Sequence, residues 1–267
     1  MEILKKLIFL FLIIIFIAST CTQIDNNNNS ISQNTTNNNL YEVSRNSPYP
    51  VQNFIYLDTV IIGSPVEENS QIIPMIEVVN SASGIAIKHE GTKIYAFTAG
   101  HWCAADIGQY NLMSIVMSAY MPEYNFRVIR RVSYLDKFYE IESASFNIEK
   151  DLCVITFSSP KARKIKNIRI ARSAPRIGDS VYAVSAPMGF YSHSIRTIFE
   201  GYFAGCEPNT INCFYTIPGT NGSSGSGVLN SRGELVSILN LSVRGFNNIT
   251  GGSKIEDIRD MYDQYIR

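Results

Sequence analysis

From residue 41 onward the chain alternates short apolar runs, rich in Ile, Val, Tyr and Phe, with breaks of Gly, Pro, Asn and Asp. The runs fall at 72–79, 84–88, 93–98, 126–132, 152–157, 180–185, 196–203, 213–217 and 234–241. Runs of that length bounded by turn residues predict β-strands, and many of them at near-regular spacing predict an all-β sandwich or barrel. Helical periodicity is absent until the C-terminus, where Ile255, Ile258, Tyr262 and Tyr265 recur at three- and four-residue steps. Ser253 and Glu256 stand in front of them as a capping box. One amphipathic helix over 253–266 is therefore expected to pack on the β body. No internal repeat is visible.

Two N-terminal stretches break this pattern. Residues 22–40 are almost all Asn, Gln, Ser and Thr. Such a segment cannot bury enough apolar surface to offset its chain entropy, so a disordered linker over 21–40 is expected. Before it, Lys5 and Lys6 precede an apolar run over 7–18. That run is shorter than the ~20 residues of a membrane span and suits the core of a signal peptide over 1–20. Ala18-Ser19-Thr20-Cys21 resembles a bacterial lipobox, which makes Cys21 the candidate for lipidation, although Thr20 stands where Gly or Ala is usual. Plain secretion and an uncleaved anchor are the alternatives. All three place the remainder outside the cytoplasm, at a cell surface, in a periplasm or beyond.

Charge adds an exclusion. Lys plus Arg and Asp plus Glu both number 23, so there is no electrostatic footprint for nucleic acid or an anionic membrane surface. Membrane contact is expected only through the N-terminal anchor, and nothing indicates an oligomeric state. The five cysteines include Cys21. Cys206 and Cys213 flank the turn signal Glu207-Pro208-Asn209-Thr210, and outside the cell a disulfide should close that loop. Cys103 and Cys153 are read either as a second disulfide or as buried free thiols.

Chemistry has few places to reside. The stretch Gly219-Thr220-Asn221-Gly222-Ser223-Ser224-Gly225-Ser226-Gly227 is too glycine-rich for a strand interior. It reads either as a flexible hairpin or as a loop presenting a serine beside free backbone amides. Of the three histidines, His89 lies among surface-turn residues and His193 in a loop between strands. His101 follows the buried-strand pattern 94–98 through the small residues Ala99-Gly100, which let its ring approach other backbone closely. Asp151 opens the apolar run 152–157. A carboxylate at a strand mouth is half-buried and needs a donor.

Together these pieces resemble the trypsin-like serine peptidases. Thr98-Ala99-Gly100-His101-Trp102-Cys103 resembles their T-A-A-H-C element, Asp151-Leu152-Cys153-Val154-Ile155 their D-[IL]-A-[LV]-[LIV], and Gly222-Ser223-Ser224-Gly225-Ser226 their G-[DNS]-S-G-[GS]. Weaker echoes lie at Ser83-Gly84-Ile85, at Gly178-Asp179-Ser180-Val181 and at Glu234-Leu235-Val236. The resemblance covers about residues 55–250. It implies two six-stranded antiparallel β-barrels of chymotrypsin-like fold within 41–267, the first over about 41–160 and the second over about 162–251, followed by the C-terminal helix. It implies a serine endopeptidase acting on protein or peptide, with no cofactor and no metal. His101 would be the general base, Asp151 its orienting partner and Ser224 the nucleophile, with the N–H groups of Gly222 and Ser224 as the oxyanion hole. Pro218, Gly219 and Asn221, with Asn240, Leu241 and Ser242, would contact substrate. The alternative, a catalytically inactive surface-binding module on the same fold, is disfavoured because all three catalytic residue types are present.

Departures shape the expected specificity. No Ile-Val-Gly-Gly activation start is visible, which directs the resemblance to the bacterial and phage branch without zymogen cleavage. Gly227 stands where Pro is frequent. Pro218 occupies the place of the aspartate with which trypsin selects basic side chains. Bacterial glutamyl endopeptidases carry a histidine on the strand after the nucleophile, where Leu239 and Asn240 stand here. A neutral or apolar preference is expected. An α/β-hydrolase is excluded because its histidine must follow the serine in sequence, and none follows Ser224. A metal site built from His101, Cys103, Cys153 and Cys206 lacks paired ligand spacing.

Overall fold

The structure is a computed structural model that describes residues 49–66, 74–105, 107–135, 137–192, 195–243, 245–246 and 248–267. All belong to a unit spanning Glu42–Arg267. The expected signal peptide, linker and lipidation site Cys21, and also His193, lie outside the described residues.

Seven strands form the first sheet. They are β1 (Phe54–Pro65), β2 (Met75–Glu90), β3 (Lys93–Ala99), β4 (Tyr124–Tyr134), β5 (Lys137–Glu140), β6 (Ser143–Asn147) and β7 (Leu152–Ser158), in the order β5-β4-β1-β2-β3-β7-β6. Six more form a closed barrel: β8 (Ser180–Ser185), β9 (Thr197–Cys206), β10 (Asn212–Tyr215), β11 (Gly227–Asn230), β12 (Leu235–Ser242) and β13 (Thr250–Ser253). Every pairing between these strands is antiparallel. The second half is thus the six-stranded barrel expected from the sequence. The first half is a seven-stranded sheet in place of the other six-stranded barrel expected, with β5–β4 at one edge and β7–β6 at the other, and its extra strand is the short arm β5 folded back on β4.

Residues 75–79 of the first sequence run and the run at 84–88 belong to one strand, β2. The polar residues between them, Asn80 and Ser81, pair with Thr59 and Asp58 of β1, and a register shift at Thr59/Val60 absorbs the irregularity. Asp58 is tolerated inside the sheet because Arg131 of β4 grips both carboxylate oxygens, at 2.8 and 2.9 Å. Burial dominates over that pairing and holds the Asp58 carboxyl above its ordinary range. Cys206 and Cys213 face each other across β9 and β10 and form a disulfide.

Among the described residues there are three α-helices, α1 (Gly100–Ala104), α2 (Ile107–Tyr120) and α3 (Ile255–Tyr265). The sequence pattern misses α2, since Leu112, Ile115 and Val116 are solvent-exposed apolar residues that remove the contrast between faces. The C-terminal helix forms, but without the capping box. Its N-cap is Lys254, with no side-chain cap. Ser253 is spent in the barrel, where its hydroxyl accepts the Ile238 N–H at 3.1 Å.

The sheet and barrel share apolar packing. Ile85, Phe97, Leu152 and Val154 from the sheet join Leu229, Leu235 and Ile238 from the barrel, and Ile258 and Met261 of α3 close the cluster. The helix is also held electrostatically, since Lys150 reaches Asp257 at 2.8 Å and Asp260 at 3.0 Å. Asn53 pins the crossing between the halves by donating to the carbonyls of Ala86 and Lys166, both at 2.6 Å. Ile258 is fully buried at the shared cluster. Ile258→Ala is expected to lower the unfolding free energy by about 2–5 kcal/mol, read as a shifted urea midpoint at unchanged slope.

Candidate active site

Strand register places the first two residues. β3 and β7 pair Thr98 with Cys153 and Ala99 with Leu152. His101 and Asp151 therefore emerge just past the last rungs of adjacent strands, at the same end. Gly100 makes the approach possible. A Cβ there would stand 2.7 Å from the Leu152 nitrogen and 2.8 Å from the Asp151 carbonyl carbon, closer than any side chain permits. Asp151 adopts a positive φ of 48°, a conformation that costs a non-glycine residue free energy and recurs at functional sites.

That strained carboxylate receives two donors from one residue. The His101 backbone N–H donates to Asp151 Oδ1 at 2.6 Å, and His101 Nδ1 lies 3.0 Å from Oδ1 and 2.9 Å from Oδ2. With Nδ1 facing the carboxylate, Nε2 is left as the basic nitrogen. The imidazole is 47% exposed while the carboxylate is 19% exposed, so the ring remains accessible beside a shielded partner. Cys103, two residues past His101, and Cys153, two past Asp151, form a disulfide. The open question of those thiols resolves into a covalent brace beneath the pair. It also removes both cysteines as metal ligands.

Ser224 sits in the turn between β10 and β11. Gly222 and Gly225 have φ of 85° and 90°, values that favour glycine. The turn's amides are spent selectively. Ser223 N–H donates to Thr220 O at 2.9 Å, Gly225 N–H to Leu239 O at 2.6 Å and Ser226 N–H to Ser223 O at 3.1 Å. Among the described residues, the N–H groups of Gly222 and Ser224 have no hydrogen-bond acceptor. Two free donors flank a serine hydroxyl, an arrangement suited to an oxygen anion.

Ser83 of β2 ties this turn to the sheet. Its N–H donates to the Ser224 carbonyl at 2.8 Å. Its hydroxyl donates to the Gly222 carbonyl at 2.8 Å and accepts the Ala186 N–H at 2.9 Å. Its own carbonyl accepts from Thr98 Oγ1 at 2.8 Å. The other end of the Gly222 peptide is fixed too, because the Asn221 carbonyl accepts the Met188 N–H at 2.6 Å. Gly225 rests against the base of the His101 strand, where a Cβ would stand 3.0 Å from the Ala99 nitrogen. Among the described residues no hydrogen bond joins His101 to Ser224. Such bonds are often long before substrate binds.

The expected substrate-contacting residues occupy two segments. Pro218, Gly219 and Asn221 precede Ser224 in its own loop, and Asn240, Leu241 and Ser242 end β12. The Asn240 side-chain amide is buried without a hydrogen-bond partner. The sequence carried only a faint signal for Ser83, as the residue beside Gly84, and none for Met188.

Residues 82–238, more than half of the chain, match the family model described as a trypsin-like peptidase domain. No curated protein sequence matches. In three dimensions the chain is similar to the serine endoprotease from Yersinia pestis, with a TM-score of 0.56, 16% identity, 87% of this chain covered and 67% of that one. That likeness is one of fold, a chymotrypsin-like arrangement of sheet, barrel and C-terminal helix. The bracing disulfide supplies a check on the site's mechanics. Replacing Cys103 and Cys153 together by alanine is expected to lower stability by about 2–4 kcal/mol, measured by denaturant unfolding, with the His101–Asp151 end of the sheet losing amide-exchange protection first.

Proposed function

This chain belongs to the trypsin-like peptidase family, and we propose that it is a serine endopeptidase in which Ser224, His101 and Asp151 form the catalytic triad. The observation that carries the reading is the pair of unspent amides, Gly222 N–H and Ser224 N–H, in a turn where the amides of Ser223, Gly225 and Ser226 are engaged. Ser224 Oγ attacks the scissile carbonyl while His101 Nε2 takes its proton. Asp151 holds Nδ1 and stabilises the imidazolium that forms. The carbonyl oxygen becomes an oxyanion facing the two amides, each worth about 3 kcal/mol of transition-state stabilisation. His101 then returns the proton to the leaving amine, the acyl-enzyme forms, and water repeats the sequence to release the acid.

The same reading places the enzyme outside the cytoplasm, tethered through Cys21 at the end of its signal peptide. The two disulfides support an oxidising compartment. Intact-mass analysis of the protein recovered from membranes tests the tether, since a mature N-terminal Cys21 carrying no lipid would remove it.

A fluorophosphonate probe tests the catalytic assignment. Wild type should label covalently and Ser224→Ala should not; equal labelling of the two would reject Ser224 as nucleophile. Asp151→Asn should keep the fold and lower turnover by about 10⁴-fold, as loss of the orienting carboxylate does in the template triad. Ser83→Ala leaves the Gly222 carbonyl and the Ala186 N–H without their buried partner. At about 1–3 kcal/mol for such a loss, labelling should slow roughly 10-fold or more while His101 and Asp151 stay paired.

A further inference from the structure

Helix α2 inverts the usual order of faces. Among its described residues only Ser114 is buried. The Ser114 hydroxyl donates to the Asn111 carbonyl at 2.7 Å, and the Ser118 hydroxyl donates to the Ser114 carbonyl at 3.0 Å. The helix thus satisfies these hydroxyls with its own preceding carbonyls. Leu112 and Ile115 are 63% and 65% exposed, and Val116 and Tyr120 are exposed with them. Steps of three and four residues gather these four on one face. Not one of residues 107–120 is charged, and the nearest charges in sequence are Asp106 before the helix and Glu123 after it.

The apolar surface continues beyond the helix. Val66 is exposed and donates its N–H to the Glu123 carbonyl at 2.9 Å, just past the end of α2. Met75 and Ile76 open β2, opposite Gly63 and Ile62 of β1, and are exposed too. Single exposed apolar residues are ordinary, but a helix face of them with more alongside marks an interaction surface.

Two observations identify what covers it. Protein partners are fixed in register by polar and charged groups, and this face offers no charged group. A lipid bilayer asks only for apolar depth, and a tyrosine at the helix end suits the level of its headgroups. At 14 residues α2 is ~21 Å long, too short to cross a ~30 Å hydrocarbon core, so it lies in the plane of the interface. The second observation is reach. Residues 22–48 separate Cys21 from the described domain, and at about 3.5 Å each they extend no further than ~95 Å. A unit of this size has a radius of gyration of about 17 Å, so a tethered copy can turn any face to the bilayer. Chemistry then selects the face. Ser83, which holds the Ser224 turn, pairs with Tyr56, whereas Ile62 and Pro65 lie further along β1, roughly 20–30 Å away. Docking there leaves the Ser224 cleft open.

We propose that the outward face of α2, with Val66 and Ile76 beside it, docks in the interfacial layer of a phospholipid bilayer. The inference rests on the Cys21 tether proposed above for proximity alone. The attraction is apolar and adds a contact beyond the N-terminal anchor. It is not the electrostatic contact that balanced charge excludes, so neutral lipid suffices and salt does not screen it.

The test uses the full-length protein in phosphatidylcholine vesicles whose acyl chains are brominated near the headgroup. Trp102 is the single tryptophan and is buried, so an added indole reports its own position. The emission added by Ile115→Trp should fall by about half or more in brominated vesicles, at low and high salt alike. Ile177→Trp, at an exposed position in the barrel half, should lose none. Adding Leu112→Glu to Ile115→Trp should abolish the quenching with the urea midpoint unchanged. Vesicle flotation separates this inference from the tether. Protein that floats with vesicles but is not quenched at 115 overturns the docking face and leaves the tether standing. Quenching at 115 in protein whose Cys21 carries no lipid removes the tether and keeps the docking face. Protein that neither floats nor is quenched overturns both, and equal quenching at 115 and 177 overturns the docking face. A cross-linked dimer that Ile115→Glu abolishes, without quenching at 115, assigns the face to a second copy and overturns the inference.

Discussion

The spatial relation between the Ser224 turn and the His101–Asp151 pair depends on Ser83. This residue is fully buried, and its N–H, carbonyl and hydroxyl are all engaged with other segments. One partner is Thr98, on the strand that delivers His101. The others are Gly222 and Ser224, in the turn between β10 and β11, and Ala186, beside the segment that fixes the Asn221 carbonyl. A buried polar group left unpaired costs more than a paired one gains. Displacing the turn from the sheet would leave several such groups unpaired together. The two halves of the site are therefore not free to drift apart one bond at a time.

The constraint on the other half is of a different kind. His101 and Asp151 meet through the β3–β7 register, and a one-residue slip would turn every side chain of the strand to its opposite face. The Cys103–Cys153 disulfide, two residues beyond each, blocks that slip. Asp151 can then hold a positive φ because its carboxylate is over-determined, gripped by the backbone N–H and ring of the same histidine. Strain at this residue is offset by neighbours that have no other place to go.

These constraints explain what the sequence made legible. Strands such as β3, β8 and β12 declare themselves because they are mostly apolar runs, buried over much of their length and bounded by turn residues. His101 and Ser224 declare themselves through their small neighbours, Gly100, Gly222 and Gly225, and Asp151 through its place at the start of an apolar run. β1 does not, although eight of its first residues are buried, because Asp58 interrupts its apolar run. The partner that neutralises Asp58 is Arg131, distant in sequence. Helix α2 stays hidden for the opposite reason, having apolar residues on the solvent side as well. The linking role of Ser83 is equally illegible, since a serine in a strand looks polar until its partners, over a hundred residues away, are in place. What the sequence withholds is long-range polar pairing, which leaves no period to read.

The glycines of the nucleophile loop divide along the same line. Gly222 and Gly225 are required by their backbone conformation, and each also presses against backbone from another segment: Gly222 against Ala186 and Gly189, Gly225 against Ser83 and Ala99. Gly219 has no such conformational demand; it is small because Thr250 takes the space. Two of the glycines are thus fixed by backbone conformation and the third by side-chain packing. Gly222 is held from Met188 and Ser83, apart from the contact between Gly219 and Thr250.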